Sequence, residues 1–254
     1  MNIPERIFIV PYRSREVFKN ILIEKLSSYL EDENNWEIYF SHQNDTRPFN
    51  RGAIKNIGFL AMKTKYPNHY KDITFIFHDV DTYPKEKGLI DYNTTDGIVK
   101  HFYGYEFSLG GMFAIKGKDF EKVKGFPNFW GWGFEDNVIQ NKCVDNNIII
   151  DRSNFFKIGD EKIHQDNSDI YRLVSRGDVS VYKYKEYDDL TFITNMNYNI
   201  KGNIININSF KVKQQIEDQD FYMRNQVISG IHMYSSPGYR RKNWSMNRIF
   251  NSSN

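Results

Sequence analysis

"DITFIFHDVD", Asp72 to Asp81, decides the fold: it is apolar through Phe77 and then abruptly acidic, as a buried strand is when it ends at a polar site. Upstream, "RIFIV" (Arg6 to Val10) reads as a first buried strand that stops at Pro11, and "WEIYFS" (Trp36 to Ser41) as a second. Between them Val17, Phe18, Ile21, Leu22, Leu26, Tyr29 and Leu30 recur at helical spacing. In "NRGAIKNIGFLAMKTKY", from Asn50, the side chains of Ile54, Ile57 and Ala61 share one helical face. Strands alternating with helices specify an α/β fold around a central, mostly parallel sheet flanked by helices. Ligands of such sheets bind beyond the carboxyl ends of the strands, where "PYRSR" and "HDVD" both fall.

Downstream the alternation loosens. "GGMFAIKGKDFEKVKGF" reads as a strand and a short helix, "EDNVIQNKCVDNN" as a helix opened by acids, and "IIID" as a closing strand. Residues 210–254 are polar, carry Lys211, Lys213, Arg224, Arg240, Arg241, Lys242 and Arg248, and contain the turn signal "SSPGYRRKN". The expected organisation is one domain over 1–209 and a polar, basic appendage over 210–254, a candidate surface for self-association.

At 254 residues and 40% hydrophobic content the chain can bury one sizeable core. Its 34 basic and 32 acidic residues leave a net charge of +2, without the dense basic stripe of a nucleic-acid binder, so no nucleic-acid partner is expected. One cysteine, Cys143, excludes an intrachain disulfide and a cysteine-rich zinc site, and suits a reducing compartment. The opening "MNIPERIFIVPYRSR" has only a short apolar run, so neither a signal nor a transmembrane segment is expected.

Six stretches could carry chemistry. In "HDVD", Asp79 and Asp81 alternate by two and can point to one side of a strand end, where a carboxylate could hold Mg²⁺ or Mn²⁺; two solvated acids before a turn would look the same. Gly110 and Gly111 permit close approach of backbone to a ligand, or mark a β-bulge. In "FPNFWGWGFEDN", Gly131 and Gly133 put two indoles on a backbone able to swing as a lid. The lid would shelter Asp136 and raise its proton affinity, useful in a general base; the alternative is that Trp130 and Trp132 are core and the acids cap a helix. "DEKIHQD" offers His164 beside Glu161, and the arginines of "PYRSR" and "FNRGAIKN" could meet phosphate.

Taken in order, "VPYRSR", "FNRGAIKNIGF", "FHDVD", "LGGMFAIKGKDFEKVKGFPN" and "WGWGFEDN" resemble the β-1,4-galactosyltransferase family and its N-acetylgalactosaminyl relatives, over about Ile7 to Ile207. The resemblance implies a GT-A glycosyltransferase with a Rossmann-like nucleotide-sugar domain. It implies metal-dependent, inverting transfer of Gal or GalNAc from a UDP-sugar to a hydroxyl of a glycan or glycoprotein acceptor. By the same resemblance Pro11, Arg13, Arg15, Phe49 and Arg51 bind the nucleotide, Asp79 lies against the donor, and Lys100 is a phosphate contact. Asp81, His164 and Glu161 would hold Mn²⁺, or Mg²⁺ given the carboxylate of Glu161. Trp132 is the lid indole, Glu135 an acceptor or lid contact, Asp136 the base and Tyr105 an acceptor-side ring.

Some positions depart from the family pattern. Phe134 stands in place of a glycine, and Asn137 in place of an acid. Ser108 replaces a bulky tyrosine beside Gly110 and so leaves room for an N-acetyl group. Against Golgi-anchored, disulfide-bonded animal enzymes, the chain reads as a microbial or viral protein of the cytoplasm. Two other readings remain: a catalytically silent nucleotide-sugar or glycan-binding module with the same fold, and an unrelated metal phosphohydrolase using "HDVD".

Overall fold

A computed structural model describes residues 2–33, 35–166, 178, 181–183 and 185–214, and the backbone of two further strands at 171–174 and 226–229. The strands are β1 (Arg6–Tyr12), β2 (Trp36–Gln43), β3 (Thr74–His78), β4 (Thr82–Pro84), β5 (Ile98–Gly104), β6 (Met112–Lys116), β7 (Ile149–Asp151), β8 (Phe156–Lys157), β9 (Ile163–Gln165), β10 (Tyr171–Val174), β11 (Thr194–Lys201), β12 (Ile204–Lys211) and β13 (Gln226–Ser229). The helices are α1 (Glu16–Tyr29), α2 (Arg51–Lys65), α3 (Gly117–Lys122) and α4 (Glu135–Asp145).

The central sheet runs β11-β12-β2-β1-β3-β6-β5-β7, with β8 also paired to β5. Pairs β12–β2, β2–β1, β1–β3, β5–β7 and β5–β8 are parallel; β11–β12, β3–β6 and β6–β5 are antiparallel. The α/β expectation of a mostly parallel sheet therefore holds. Both faces of the inner strands are buried, which is why they read as unbroken apolar runs. Ile7, Ile9, Phe75, Phe77, Phe113 and Ile115 pack beneath α2 and α3, whereas Phe8, Val10, Ile76, Met112 and Ala114 pack with Leu22, Leu26 and Leu30 from the α1 side.

β1 continues through Pro11 to Tyr12, in register with Ser41 and His42 of β2. β3 pairs with β1 only as far as Ile9, so Pro11 has a partner strand on one side alone, where a missing N–H is tolerated. Val17, expected on the buried face of α1, is 68% exposed. β12 runs past residue 209 to Lys211, and Phe210 is buried. From residue 215 onward the expected appendage, and the self-association assigned to it, lie outside the described residues except for the backbone of β13.

Two buried histidines tie stability to pH. Burial holds His78 and His101 well below the ordinary imidazole range, at about 4 each, against hydrogen bonds to the Asp79 and Gly110 carbonyls. Both stay neutral in the folded protein while the unfolded chain takes up protons from about pH 6.5 downward. Their contribution is thus complete above pH 6.5 and is lost as pH falls toward 4. Urea midpoints are expected to drop between pH 7 and pH 5 by the equivalent of about 1 kcal/mol per pH unit for each histidine, and His101→Gln should flatten that slope.

Candidate active site

Four chain segments meet beyond the carboxyl ends of β1 and β3. The loop after β1 brings Arg13 and Arg15, and the loop after β3 brings Asp79 and Asp81. The first turns of α2 and α4 bring Arg51, Glu135 and Asp136. α2 begins where it does because Asn50 caps it, its side-chain oxygen accepting from the Ala53 N–H at 2.9 Å. Gln43 fixes the approach by accepting from the Asn50 N–H at 2.9 Å and donating to the Pro48 carbonyl at 2.9 Å.

Charges alternate through the cluster. Arg15 donates to Asp81 at 2.6 Å, and Arg51 bridges Asp79 at 2.6 Å and Glu135 at 3.3 Å. Desolvation would raise Asp79, but Arg51 and Lys55 hold it below the ordinary carboxylate range. Desolvation and the neighbouring Asp79 push Asp81 up against the pull of Arg15. Glu135 is pushed up by desolvation and then by Asp136, with Arg51 opposing. Arg51 loses to desolvation but gains more from Asp79, Glu135 and Asp136, so its proton is held more tightly than usual. Asp79 and Asp81, in unlike surroundings, thus separate in proton affinity.

The shelter expected for Asp136 falls on Glu135, which is 3% exposed and accepts from the Gly133 N–H at 3.1 Å. Expected as an acceptor or lid contact, Glu135 is turned inward, on Arg51 and on the Gly133 N–H of the lid. Asp136 stays half-buried, paired with Lys55 at 3.1 Å. A Cβ on Gly110 would lie 2.7 Å from Asp136 Oδ2, and a Cβ on Gly111, whose φ is +70°, would lie 2.4 Å from the Tyr103 carbonyl oxygen. Both glycines are needed, one for the carboxylate and one for an irregularity between β5 and β6. Ser108 is buried in the turn just before them, and Tyr105 is 41% exposed with its ring stacked on Phe107 at 5.1 Å.

The two indoles part company. Trp130 is core, stacked on Phe210 at 5.6 Å, and only Trp132 is half-buried, against Phe129, Phe134 and Val138. Phe134 takes a left-handed backbone with φ of 71° at the start of α4, a conformation that favours glycine, and its ring stacks on Tyr182 at 4.6 Å. Gly131 donates to the buried Asp178 at 2.6 Å.

Elsewhere the outcome is mixed. Arg13 donates to the Arg47 carbonyl at 2.7 Å and lies 5.9 Å from the Phe49 ring centroid, so those two expected nucleotide contacts are neighbours. Lys100 is not brought in: it sits mid-strand opposite Ala114, and its ammonium pairs with Asp91 at 3.2 Å. Lys55 was missed, although its spacing of four from Arg51 puts both on one face of α2.

β4 pairs antiparallel with β9, Tyr83 opposite His164, and Asp166 N–H donates to the Asp81 carbonyl at 3.0 Å. Asp81 lies in the turn that leads into β4, so that ladder ties the end of the acidic loop to the strand that carries His164. Glu161 sits on the exposed turn before β9, and among the described residues no three His, Cys, Asp or Glu side chains converge to hold a metal. The expected triad is therefore not assembled. One carboxylate and one imidazole do fit a cation whose other ligands are phosphate oxygens.

The architecture is the GT-A type of α/β fold. The catalytic domain of Drosophila β-1,4-galactosyltransferase 7 in complex with xylobiose matches with a TM-score of 0.64 at 17% identity, over 84% of this chain and 96% of that one. A mutant of the same enzyme in complex with manganese, UDP-Gal and xylobiose matches at 0.63. The chain belongs to the glycosyl transferase group 7 family: residues 4–93 match the family's N-terminal region, and residues 99–166 match the model described as the N-terminal domain of galactosyltransferase.

β-1,4-Galactosyltransferase 4 of Cricetulus griseus is 33% identical over 161 residues, covering 58% of this chain and 44% of that protein. The Homo sapiens counterpart is 34% identical over 146 residues, covering 52% and 40%. The chain thus spans about two fifths of the length of the curated relatives it matches. These relatives are animal proteins, which overturns the expectation of a microbial or viral protein of the cytoplasm. No helix among the described residues is long and apolar enough to cross a membrane.

Proposed function

We propose that this chain transfers galactose or N-acetylgalactosamine from a UDP-sugar to a hydroxyl of a glycan or glycoprotein acceptor, with inversion. One observation supports the reading: the four segments that meet beyond the carboxyl ends of β1 and β3, with the turn at Gly110, set Asp136 against Gly110 and pair Arg15 with Asp81. The relatives named above, and the Drosophila complex with manganese, UDP-Gal and xylobiose, support the same reading.

In this mechanism Asp136 accepts the proton of the acceptor hydroxyl as its oxygen bonds to the anomeric carbon, from the face opposite the diphosphate. The bond from that carbon to the phosphate oxygen breaks, and its electron pair leaves with UDP. Arg13, Arg15 and Arg51 supply positive charge beside the diphosphate, and Trp132 covers the sugar and excludes water. Asp81 and His164 would hold Mn²⁺ or Mg²⁺, which when bound neutralises charge on the leaving diphosphate. Ser108 leaves space beside the donor's 2-position.

UDP release from UDP-Gal, UDP-GalNAc and UDP-Glc, with Mn²⁺ and with EDTA, tests the reading. Metal-dependent turnover is expected, with UDP-GalNAc at least as fast as UDP-Gal. Calorimetric binding without turnover under every acceptor tried would favour the silent module, and an absence of binding would refute the donor site.

A further inference from the structure

We infer that Lys55 is a positioning residue for Asp136, an inference that rests on the transferase reading above. Lys55 sits one turn into α2 from Arg51, and its side chain is 2% exposed. The ammonium passes over the Phe126 ring at 4.5 Å and ends 3.1 Å from Asp136 Oδ1. A fully buried ammonium is costly unless it is paired, and Asp136 is the carboxylate in ion-pair contact with it. Lys55 also draws down Asp79, in the loop after β3, and Glu135, in the first turn of α4, but both of these already share Arg51.

Asp136 is thereby held from two directions. Its Oδ1 is taken by Lys55, and its Oδ2 lies against the bare Cα of Gly110. The Asp136 carbonyl accepts from the Leu109 N–H at 2.9 Å, so backbone and side chain are tied to the same β5–β6 turn. With Oδ1 engaged, the oxygen beside Gly110 is the one left to take the acceptor proton. A base held in one orientation needs no reorientation at the moment of reaction, and reacting groups displaced by an ångström lose large factors in rate. Lys55 acts through Asp136 and touches no reacting atom.

The test is the pair Lys55→Met and Lys55→Arg in the full chain. Lys55→Met removes the charge and keeps much of the volume, and Lys55→Arg keeps the charge. Lys55→Met is expected to bind UDP-Gal with a Kd within about threefold of wild type and to lose at least about tenfold in kcat for transfer, with the acceptor KM nearly unchanged. Lys55→Arg should recover part of the loss. Equal kcat in Lys55→Met and wild type overturns the inference, as does a fall in kcat matched by falls in donor affinity and Tm. Crystal structures give a readout that does not need turnover: the Asp136 carboxylate should leave Gly110 in Lys55→Met and stay there in Lys55→Arg, and a carboxylate unmoved in Lys55→Met refutes positioning. Should the wild type transfer no sugar, the functional reading fails by itself while these structures still decide the role of Lys55. Should Lys55→Met not fold, Lys55→Gln carries the same comparison.

Discussion

Asp136→Asn is expected to reduce sugar transfer by about 10²–10⁴-fold while leaving UDP-sugar affinity within about threefold of wild type. The amide keeps the shape of the carboxylate, can still accept from Lys55 at the position of Oδ1, and still fits against Gly110. What it lacks is an oxygen able to take a proton. The cost should therefore appear in kcat with acceptor present, measured as UDP release beside calorimetric donor binding. Glu135→Gln is the informative contrast. Glu135 is buried between Arg51 and the Gly133 N–H, so its amide should weaken the start of α4 and lower Tm before it touches the chemical step. If Asp136→Asn transfers sugar at the wild-type rate, the base is another group and the mechanism proposed for this site is wrong.

The sequence disclosed most where burial is symmetric. β1 and β3 lie inside the sheet with both faces covered, so each reads as an unbroken apolar run, and the acids that end β3 mark where the core stops. β5 escaped because "IVKHFYG" interrupts its apolar residues with Lys100 and His101, the first at a half-buried position and the second a buried histidine held by backbone carbonyls. β11 and β12 escaped because they are rich in asparagine and β11 is mostly exposed; only Ile205, Ile207 and Phe210 of β12 reach the core.

Site residues were legible as types and not as pairs. Arg15 and Asp81 lie 66 residues apart in sequence, and Lys55 and Asp136 lie 81 apart, so no local pattern reveals that they meet. The resemblance to galactosyltransferases singled out Asp136 and Gly110 separately, and only the fold sets Asp136 Oδ2 against Gly110. That resemblance said nothing of Lys55, and physical reasoning about shelter assigned to Asp136 a burial that belongs to Glu135. Localisation failed for a different reason: an anchor or a disulfide that this stretch of sequence does not show is no guide to its compartment.

Trp130→Ala is expected to cost about 3–5 kcal/mol of stability, whereas Trp132→Ala, two residues on, should cost less than about 1.5 kcal/mol and act instead on turnover. Local sequence treats the two indoles alike, each flanked by glycine. The structure separates them by what lies across from each. Trp130 is 1% exposed, stacks on Phe210 with the rings inclined by 13°, donates its indole N–H to the Gln214 carbonyl at 2.7 Å, and carries the Arg47 guanidinium 4.8 Å from its ring. Replacing it with alanine opens a cavity between the lid segment and β12 and leaves the Gln214 carbonyl without that donor, so two named losses add. At roughly 2–4 °C per kcal/mol for a chain of this size, Tm should fall by about 10 °C. A chain cut after residue 209 loses Phe210, and with it the other half of the stack, so its Tm should fall comparably; equal stability of the cut and uncut chains would place the end of the domain at 209 after all. Trp132, half-buried on the cluster of Phe129, Phe134 and Val138, has less to lose on truncation. Its effect should appear as slower transfer and a larger share of donor hydrolysed by water, because an indole that covers the sugar protects it only while the indole is there.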